Sequence, residues 1–399
     1  MNIVMRTNWT IGVLVLLFVC GQTHAEVYSG NCGAESGAAN MQWRLDTETG
    51  WLEFTGSGAM KSDYYQVKTP WSDYKSSILY VRLASGITSI GNYAFNGCYN
   101  LQSVDMPATI TQIGKEAFRN CSDLVLSGLH EGVTAVGDYA FAYCAQITSF
   151  NIPSSLTTIP VGMFYSGSLA SITFPNQLTT IDNWAFYGND DLTEVELPTS
   201  LQTIGFKAFS YCGLTSLVVP NSVTTIDNNA FEGCQSLQTV TLGTGLTKIQ
   251  AYVFNGCESL TDIAIPNGIT HINDFALSYC TALPSLLLPA SVQFIGEESF
   301  SECTGLEQLT CEAVNPPYGQ YHVFEGIDPS IPVYVPAQSV EAYRADNYWS
   351  YFNNIQAISP TPIETITGSS PQCIKILRNG QLLILRGDKT YTFTGAEAR

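Results

Sequence analysis

The sequence is poor in positive charge. Of its 399 residues only 16 are lysine or arginine, against 34 aspartate or glutamate, so the formal net charge is −18. A surface this negative repels phosphate backbones and anionic lipid, which excludes nucleic acid as a partner. Apolar residues still make up 45% of the chain and charged residues only 13%. This composition indicates an extensive buried core and excludes a disordered chain.

The sequence also lacks the short motifs that mark common catalytic and cofactor sites. It has no G-x-S-x-G elbow, no phosphate-binding loop, no H-E-x-x-H and no C-x-x-C pair. After Ala25 there are three histidines, His130, His271 and His322, at unrelated points of the repeat pattern described below. We do not expect them to meet, and we therefore predict no catalytic residue, no metal site and no cofactor.

Long apolar runs are missing after Ala25, which argues against a membrane-spanning helix. Residues 1–25 are typical of a secretory signal, with Arg6, a short apolar stretch and the small-residue end Thr23-His24-Ala25. Cys20 does not follow the small residue that lipid attachment requires. Removing the signal leaves 15 basic and 34 acidic residues, a net charge of −19. We expect a secreted or surface-displayed protein.

What the sequence has instead is a repeat. An aromatic residue, replaced once by leucine, returns at intervals of about 23 residues, at Phe95, Phe118, Phe141, Phe164, Phe186, Phe209, Phe231, Phe254, Leu277 and Phe300. Each copy contains an L-x-x-V-x-L stretch with the alternation of a short strand, and most copies then place a proline, which ends the strand. Such a unit forms a stacked solenoid, in which equivalent strands of successive turns pair in parallel.

The pattern L-x-x-V-x-L-P followed by I-x-x-x-A-F-x-x-C resembles the BspA-like class of bacterial leucine-rich repeats, from Ile78 to Cys311. The resemblance implies a right-handed α/β repeat solenoid of ten to eleven turns of about 23 residues. It also implies a parallel sheet on the concave side, short turns or helical pieces on the other side, and caps at both ends.

The chain divides into six predicted segments: the signal peptide 1–25, an N-terminal cap with a β-hairpin 26–77, the repeat array 78–311, a C-terminal cap 312–358, a linker 359–372 and a β-rich tail 373–399. The tail, with a hairpin at Asn379-Gly380, resembles the C-terminal sorting segments of Bacteroidetes proteins exported by the type IX route. That resemblance implies outer-membrane translocation, often with removal of the tail and anchoring at the surface. The alternative is a small structural domain.

Most of the 12 cysteines fall in one column of the repeat, three residues after the phenylalanine or leucine, at Cys98, Cys121, Cys144, Cys212, Cys234, Cys257, Cys280 and Cys303. Adjacent turns are close enough for a disulfide, but side chains in a column point in parallel, which is poor disulfide geometry. We predict that most of them are buried thiols that fill a narrow turn. Cys32, Cys311 and Cys373 lie outside the column and are the better candidates for pairing.

The outward positions of the predicted strands define a candidate binding face. They comprise Tyr80, Arg82, Ser103, Asp105, Ser149, Asn151, Ser171, Thr173, Glu194, Glu196, Ser216, Thr239, Thr241 and Asp262. Small hydroxyl side chains dominate, and they offer many modest hydrogen bonds to a partner backbone or a sugar. The alternative is that serine and threonine simply suit exposed strand positions. Glu194 and Glu196 would lie about 6.5 Å apart along one strand.

Three functions follow from this platform. The first, which the family resemblance supplies, is adhesion or recognition of a protein on a host or neighbouring cell. The second is glycan capture by the hydroxyl face and Tyr80, which the scarcity of aromatic rings on that face disfavours. The third is a polysaccharide-acting enzyme that uses Glu194 and Glu196, for which a solvated acidic face is the plainer interpretation. We expect an extracellular protein or glycan as partner.

Overall fold

The computed structural model describes residues 26–33, 41–62, 64, 68–358, 374–378, 381–386 and 389–392. The predicted signal segment 1–25, the linker 359–372 and Cys373 lie outside the described residues. Within the described ranges no helix has both the length and the apolar character needed to cross a membrane.

Short strands dominate the chain. In chain order they are β1 Val27–Asn31, β2 Gln42–Asp46, β3 Trp51–Thr55, β4 Ser57–Ala59, β5 Tyr80–Leu83, β6 Gly86–Ile90, β7 Ser103–Asp105, β8 Gln112–Ile113, β9 Ala135–Val136, β10 Ser149–Asn151, β11 Thr158–Ile159, β12 Ser171–Thr173, β13 Thr180–Ile181, β14 Thr203–Ile204, β15 Ser216–Val218, β16 Thr225–Ile226, β17 Thr239–Thr241, β18 Lys248–Ile249, β19 Asp262–Ala264, β20 His271–Ile272, β21 Ser285–Leu288, β22 Phe294–Ile295, β23 Gln308–Cys311, β24 Val333–Val335, β25 Ile355–Ala357, β26 Ile374–Arg378, β27 Gln381–Arg386 and β28 Lys389–Thr392. The helical segments are the α-helix α1 Val340–Ala345 and the 3-10 helices Ser72–Ser77, Ala337–Ser339 and Trp349–Tyr351.

The strands that the repeat predicts form one side of the solenoid, which we call the strand wall. It comprises β3, β5, β7, β10, β12, β15, β17, β19, β21, β23, β24 and β25, and its paired neighbours run in parallel. The predicted parallel-sheet solenoid is therefore confirmed. It has about 12 turns, more than the ten to eleven predicted, because β3 extends the wall at one end and β24 and β25 at the other.

A second parallel ladder runs along the opposite side of the solenoid, and the sequence did not predict it as strand. We call this the back ladder; it comprises β4, β6, β8, β9, β11, β13, β14, β16, β18, β20 and β22. Most of its strands contain two residues, such as Thr180–Ile181 and Thr203–Ile204, which pair residue for residue. The isoleucine points inward and is buried, while the residue before it faces outward. The repeat units contain no helical segment in the described chain, so helix is confined to the two caps.

The phenylalanines that set the period form a stacked column in the core. Neighbouring rings from Phe95 to Phe254 have centroids 5.0 to 6.1 Å apart and lie within 21° of parallel. Leu277 takes one place in the column and is fully buried there. Phe324, which the sequence analysis did not assign to the repeat, adds another ring 6.1 Å beyond Phe300. Each turn therefore buries its largest apolar group against the next turn, which is the main source of stability in such an array.

The tight turns beside this column contain left-handed residues that are not glycine. Sixteen described non-glycine residues have φ between 49° and 61°, two positions before or after the phenylalanine position. Such a conformation is strained for a residue with a side chain. The compensation is a hydrogen bond to the following turn: the amide of Tyr93 donates to Lys115 O and that of Phe95 to Ala117 O, each at 2.8 Å. A third set of inter-turn bonds thus supplements the two ladders.

A buried tryptophan covers each end of the phenylalanine column. Trp71 packs against Phe54 and Phe95, and its Nε1 donates to Ala94 O at 2.8 Å. At the other end Trp349 lies 5.2 Å from Phe324 and its Nε1 donates to Pro317 O at 3.1 Å. Both rings are fully buried. They protect the apolar edges that a solenoid would otherwise expose to solvent.

The cysteine column consists of free, buried thiols, which confirms the prediction from its spacing. The Sγ of Cys121 donates to Phe95 O at 3.2 Å and that of Cys144 to Phe118 O at 3.1 Å. The same bond to the preceding turn recurs along the column, from Cys212, Cys234, Cys257, Cys280 and Cys303. Each thiol thus adds a bond between neighbouring turns, to a carbonyl group that also accepts a hydrogen bond within its own turn, as Phe95 O does from Cys98 N at 3.0 Å.

In two neighbouring turns the cysteine column is occupied by other residues, Gly167 and Asn189. The small size of the first makes room for the second. Asn189, fully buried, donates from Nδ2 to Phe164 O and Phe186 O, both at 2.8 Å, and its Oδ1 accepts from Leu169 N at 3.0 Å. Gly167 occupies the column in the turn before it. A Cβ at Gly167 would approach Asn189 Oδ1 to 3.1 Å, so the missing side chain leaves room for the larger amide.

Of the three candidates for pairing, Cys32 and Cys311 are both free and buried, and Cys373 lies outside the described residues. Cys32 belongs to the N-terminal cap, where its Sγ lies 3.9 Å from Met41 O. Cys311 ends β23 and accepts a hydrogen bond from the hydroxyl of Tyr343 at 3.2 Å. The two thiols therefore fill opposite ends of the array. In the tail, β26, β27 and β28 pair in antiparallel order.

Candidate functional site

The fourteen predicted site residues lie on the outer surface of the strand wall. All are exposed except Tyr80, which is half-buried. Between them the inward residue of most of these strands is buried in the core. The parallel register aligns equivalent positions across turns: Ser149 lies opposite Ser171 in one pair of strands, and Ser216, Thr239 and Asp262 form a row across three. The structure thus brings the predicted residues together as rows on a single face.

The N-terminal end of this face is a compact polar and aromatic cluster. Arg82 contacts the carboxylates of Glu53 at 3.1 Å and Asp105 at 3.4 Å, and its guanidinium lies 4.3 Å from the centre of the Trp51 ring. The hydroxyl of Tyr80 donates to Gln102 Oε1 at 3.1 Å. Sequence reasoning missed Glu53 and Trp51 because it placed them in the cap. Their strand, β3, is in register with β5 and is part of the wall.

The strand wall is interrupted at three places, between β7 and β10, between β12 and β15, and between β19 and β21. The second interruption lies beside Glu194 and Glu196. Residues 192–198 form no strand, although they occupy the strand position of their turn. Within the described chain no backbone hydrogen bond joins residues 194–197 to β12 or to β15. Ile172 and Val195 are only partly buried there, whereas the equivalent Leu217 and Val240 are fully buried. The interruption therefore exposes part of the apolar core.

A depression of about 560 Å³ lies at this interruption. Its lining residues come from the two flanking turns, 170–176 and 193–199, and include Ser171, Thr173, Glu194 and Glu196. The lining contains no lysine or arginine, and neither glutamate has an ion pair or hydrogen bond among the described residues. Two exposed carboxylates beside partly exposed apolar side chains suit a basic side chain, whose methylene stem is apolar and whose head is charged.

The histidines do not contribute a catalytic group to this face. His130 lies in the turn after the strand wall, where its Nδ1 accepts from Gly132 N at 3.1 Å. His271 is in the back ladder beside Thr270, and His322 is in the C-terminal cap, 2.6 Å from Glu325. Among the described residues no three histidine, cysteine or acidic side chains are grouped so as to hold a metal ion.

The comparison with protein families agrees with this architecture. The model of the BspA type leucine rich repeat region matches residues 73–193 and 185–307, in 6 copies. The chain belongs to this family. The matched part of this BspA-type protein covers most of the strand wall and all of the cysteine column.

Several solved structures resemble this BspA-type protein. A leucine-rich repeat protein from Bacteroides ovatus is 22% identical with a TM-score of 0.55, and the alignment covers 84% of this chain and 98% of that one. Another from Eubacterium ventriosum is 23% identical with a TM-score of 0.49, covering 76% and 95%. A leucine rich cell surface protein from Faecalibacterium prausnitzii is 25% identical with a TM-score of 0.42, covering 71% and 95%. The Bacteroides ovatus likeness shows the fold alone. No curated protein matches the chain.

Proposed function

We propose that this protein is an extracellular adhesion or recognition protein that binds another protein, on a host or neighbouring cell, through its strand wall. The observation that carries the proposal is the row of exposed side chains on a preformed face about 12 turns long. A stacked array holds such a face rigid, so little conformational entropy is lost on binding. Family membership supports a binding role in general.

The charge of the chain gives the partner a chemical character. The net charge is −18, and the two glutamates at the interruption of the wall have no cation beside them. Positive patches on a partner would be steered to this face and would pair with the carboxylates. We therefore infer a partner with lysine or arginine side chains at its contact surface.

The experiment first screens purified extracellular matrix proteins for binding to this protein. The association rate of each protein that binds is then measured at several salt concentrations. The Glu194→Gln/Glu196→Gln double variant should lower the association rate by about tenfold at low salt and flatten its salt dependence, because removing charge at a contact mainly affects encounter. Glu297→Gln, an exposed carboxyl in the turn after β22, is the matched control and should change neither. Equal rates for the double variant and the wild type would refute a role for the pair.

We infer further that the protein reaches the cell surface by export, with residues 1–25 as signal and 373–399 as a sorting tail. The antiparallel β26 to β28 unit supports a separately folded tail. Deleting 373–399 should retain the protein inside the producing cell, as fractionation and mass spectrometry of the surface protein would measure. Normal surface display of the deletion variant would leave the tail as a structural domain.

The glutamate pair does not lead us to propose an enzyme. Glu194 and Glu196 are both exposed, and no histidine, tyrosine or cysteine lines their depression. A glycosidase places its two carboxyl groups on either side of the scissile bond, whereas these two side chains stand side by side on the open face of one turn.

A further inference from the structure

A second depression lies in the C-terminal cap, away from the strand-wall face. Its volume is also about 560 Å³, and its lining residues are Gln320, His322, Val323, Phe324, Glu325, Asn347, Tyr348, Ser350 and Tyr351. None of the fourteen predicted site residues is among them. The repeat pattern gives no signal for this pocket, because half of it comes from the helical lid that follows the array.

Both walls of the pocket are held in place by packing and hydrogen bonds within the protein. One wall is the turn 320–325, which Phe324 attaches to the core as the last ring of the phenylalanine column. The other is the lid, where Asp346 Oδ1 accepts from the amides of Tyr348 at 2.9 Å and Trp349 at 3.1 Å. The hydroxyl of Tyr351 donates to Ile327 O at 2.6 Å. The cavity is therefore preformed, as small-molecule sites usually are.

The lining mixes hydrogen-bonding side chains with aromatic rings. His322 Nδ1 lies 2.6 Å from Glu325 Oε2, while Gln320, Asn347 and Ser350 each offer both a donor and an acceptor. Tyr348 and Tyr351 supply ring surface inside the pocket.

An aromatic row continues outward from the pocket along the end of the back ladder. His271 is 5.6 Å from Phe294, Phe294 is 6.1 Å from Tyr318, and Tyr318 is 5.7 Å from Tyr348. Earlier back-ladder strands have threonine at the equivalent outward position, as in β13, β14 and β16. Tyr318 and Tyr321 are 58% and 74% exposed, so this end of the molecule presents far more aromatic surface than the strand wall. Exposed aromatic surface beside a cavity is a common setting for ligand-binding sites.

The charge of the lining limits the class of ligand. It contains no lysine or arginine to balance a phosphate or carboxylate. Its single carboxylate, on Glu325, already has the His322 ring as a neighbour, so a cationic ligand would compete with that contact. A wholly apolar ligand would leave the amide and hydroxyl groups without partners, at a cost of about 1 to 3 kcal/mol for each buried group. A neutral ligand with hydroxyl groups and apolar C–H faces satisfies both parts of the lining.

We propose that this pocket binds a neutral sugar residue, with the sugar's C–H face against Tyr348 and its hydroxyl groups hydrogen-bonded to Glu325, Asn347 and Gln320. The extended aromatic row ending at Tyr318 would then contact the next residues of an oligosaccharide. This site is separate from the strand wall, and it gives the protein a glycan-binding activity in addition to protein recognition.

The test uses the full chain on an array of neutral oligosaccharides, followed by titration calorimetry with each sugar that binds. Tyr348→Ala and Asn347→Ala should each weaken binding at least tenfold, while the control Tyr279→Ala, a tyrosine that is 50% exposed in the repeat array, should not change it. Glu325→Gln, which preserves the side-chain shape, should also weaken binding. Circular dichroism checks that each variant is folded.

Three results would overturn the proposal. The first is that the wild type binds no neutral sugar. The second is that the Tyr348→Ala and Asn347→Ala variants bind sugar as tightly as the wild type. The third is that the pocket binds a cationic ligand, with choline as the probe, in place of sugar. The Glu194→Gln/Glu196→Gln variant should retain full sugar affinity. Failure of this pocket is thereby distinguished from failure of the strand-wall proposal.

Discussion

Above pH 9 the folded protein is expected to lose stability steeply, because its buried thiols resist ionisation. Burial raises the pKa of three column thiols to about 12, from an ordinary value of 9.0: Cys98, Cys144 and Cys234. A thiol whose pKa is higher in the folded state than in the unfolded state stabilises the fold fully below pH 9. That contribution is lost as the pH rises toward 12, since only the unfolded chain releases the proton.

The expected slope is large. Each such thiol lowers the free energy of unfolding by about 1.4 kcal/mol per pH unit in this window, so the three together lower it by about 4 kcal/mol per unit. Chemical denaturation at pH 7, 9, 10 and 11 in the presence of reductant measures this slope. The Cys144→Ala/Cys234→Ala variant should be less stable at pH 7 and have a shallower slope, and Tyr279→Phe, at an exposed site, should match the wild type. An unchanged slope in the double cysteine variant would show that these thiols do not cause the loss.

Removing one ring from the middle of the phenylalanine column should also be severely destabilising. Phe209 is fully buried, with its ring centroid 5.0 Å from that of Phe186 and 5.5 Å from that of Phe231. Phe209→Ala should lower the free energy of unfolding by about 3 to 5 kcal/mol, through lost burial and the cavity it leaves. Because each turn contacts only its neighbours, hydrogen exchange should accelerate first in the adjacent turns.

Phe209→Leu is the matched control for this change. Leu277 occupies the same column fully buried, so the array accommodates leucine at this position. The leucine variant should lose less than half as much stability as the alanine variant in urea denaturation. A loss below about 1 kcal/mol for Phe209→Ala, or equal losses for both variants, would mean that the ring is not the packing element described here.

The periodic part of the structure was predictable because the period itself is a physical constraint. A phenylalanine that returns at a nearly constant interval can be buried repeatedly only if successive turns stack, and the thiol column and the exposed strand-wall face follow from that register. The back ladder was missed because strands such as Thr180–Ile181 are too short to show any alternation. The left-handed residues were missed because tyrosine, glutamate and lysine stand where glycine would be expected.

The features that break the repeat were the least predictable. Asn189 replaces a cysteine and makes three hydrogen bonds, but only the empty space at Gly167 explains why it fits. The interruption at Glu194 depends on backbone pairing, which no single repeat copy encodes. The pocket at Tyr348 joins the turn that begins at Gln320 to the later lid segment, and the two have no periodic relation. In each case tertiary packing, and not local pattern, determines the site.

The most direct test of the account is a comparison of bulky substitutions on the two faces of the solenoid. Thr239 in the strand wall and Thr225 in the back ladder are both exposed strand threonines, one turn apart. If the strand wall is the docking surface, Thr239→Trp should lower affinity for an extracellular protein partner at least tenfold, and Thr225→Trp should leave it unchanged, with both variants folded by circular dichroism. Loss of binding in Thr225→Trp with full binding in Thr239→Trp would contradict the account.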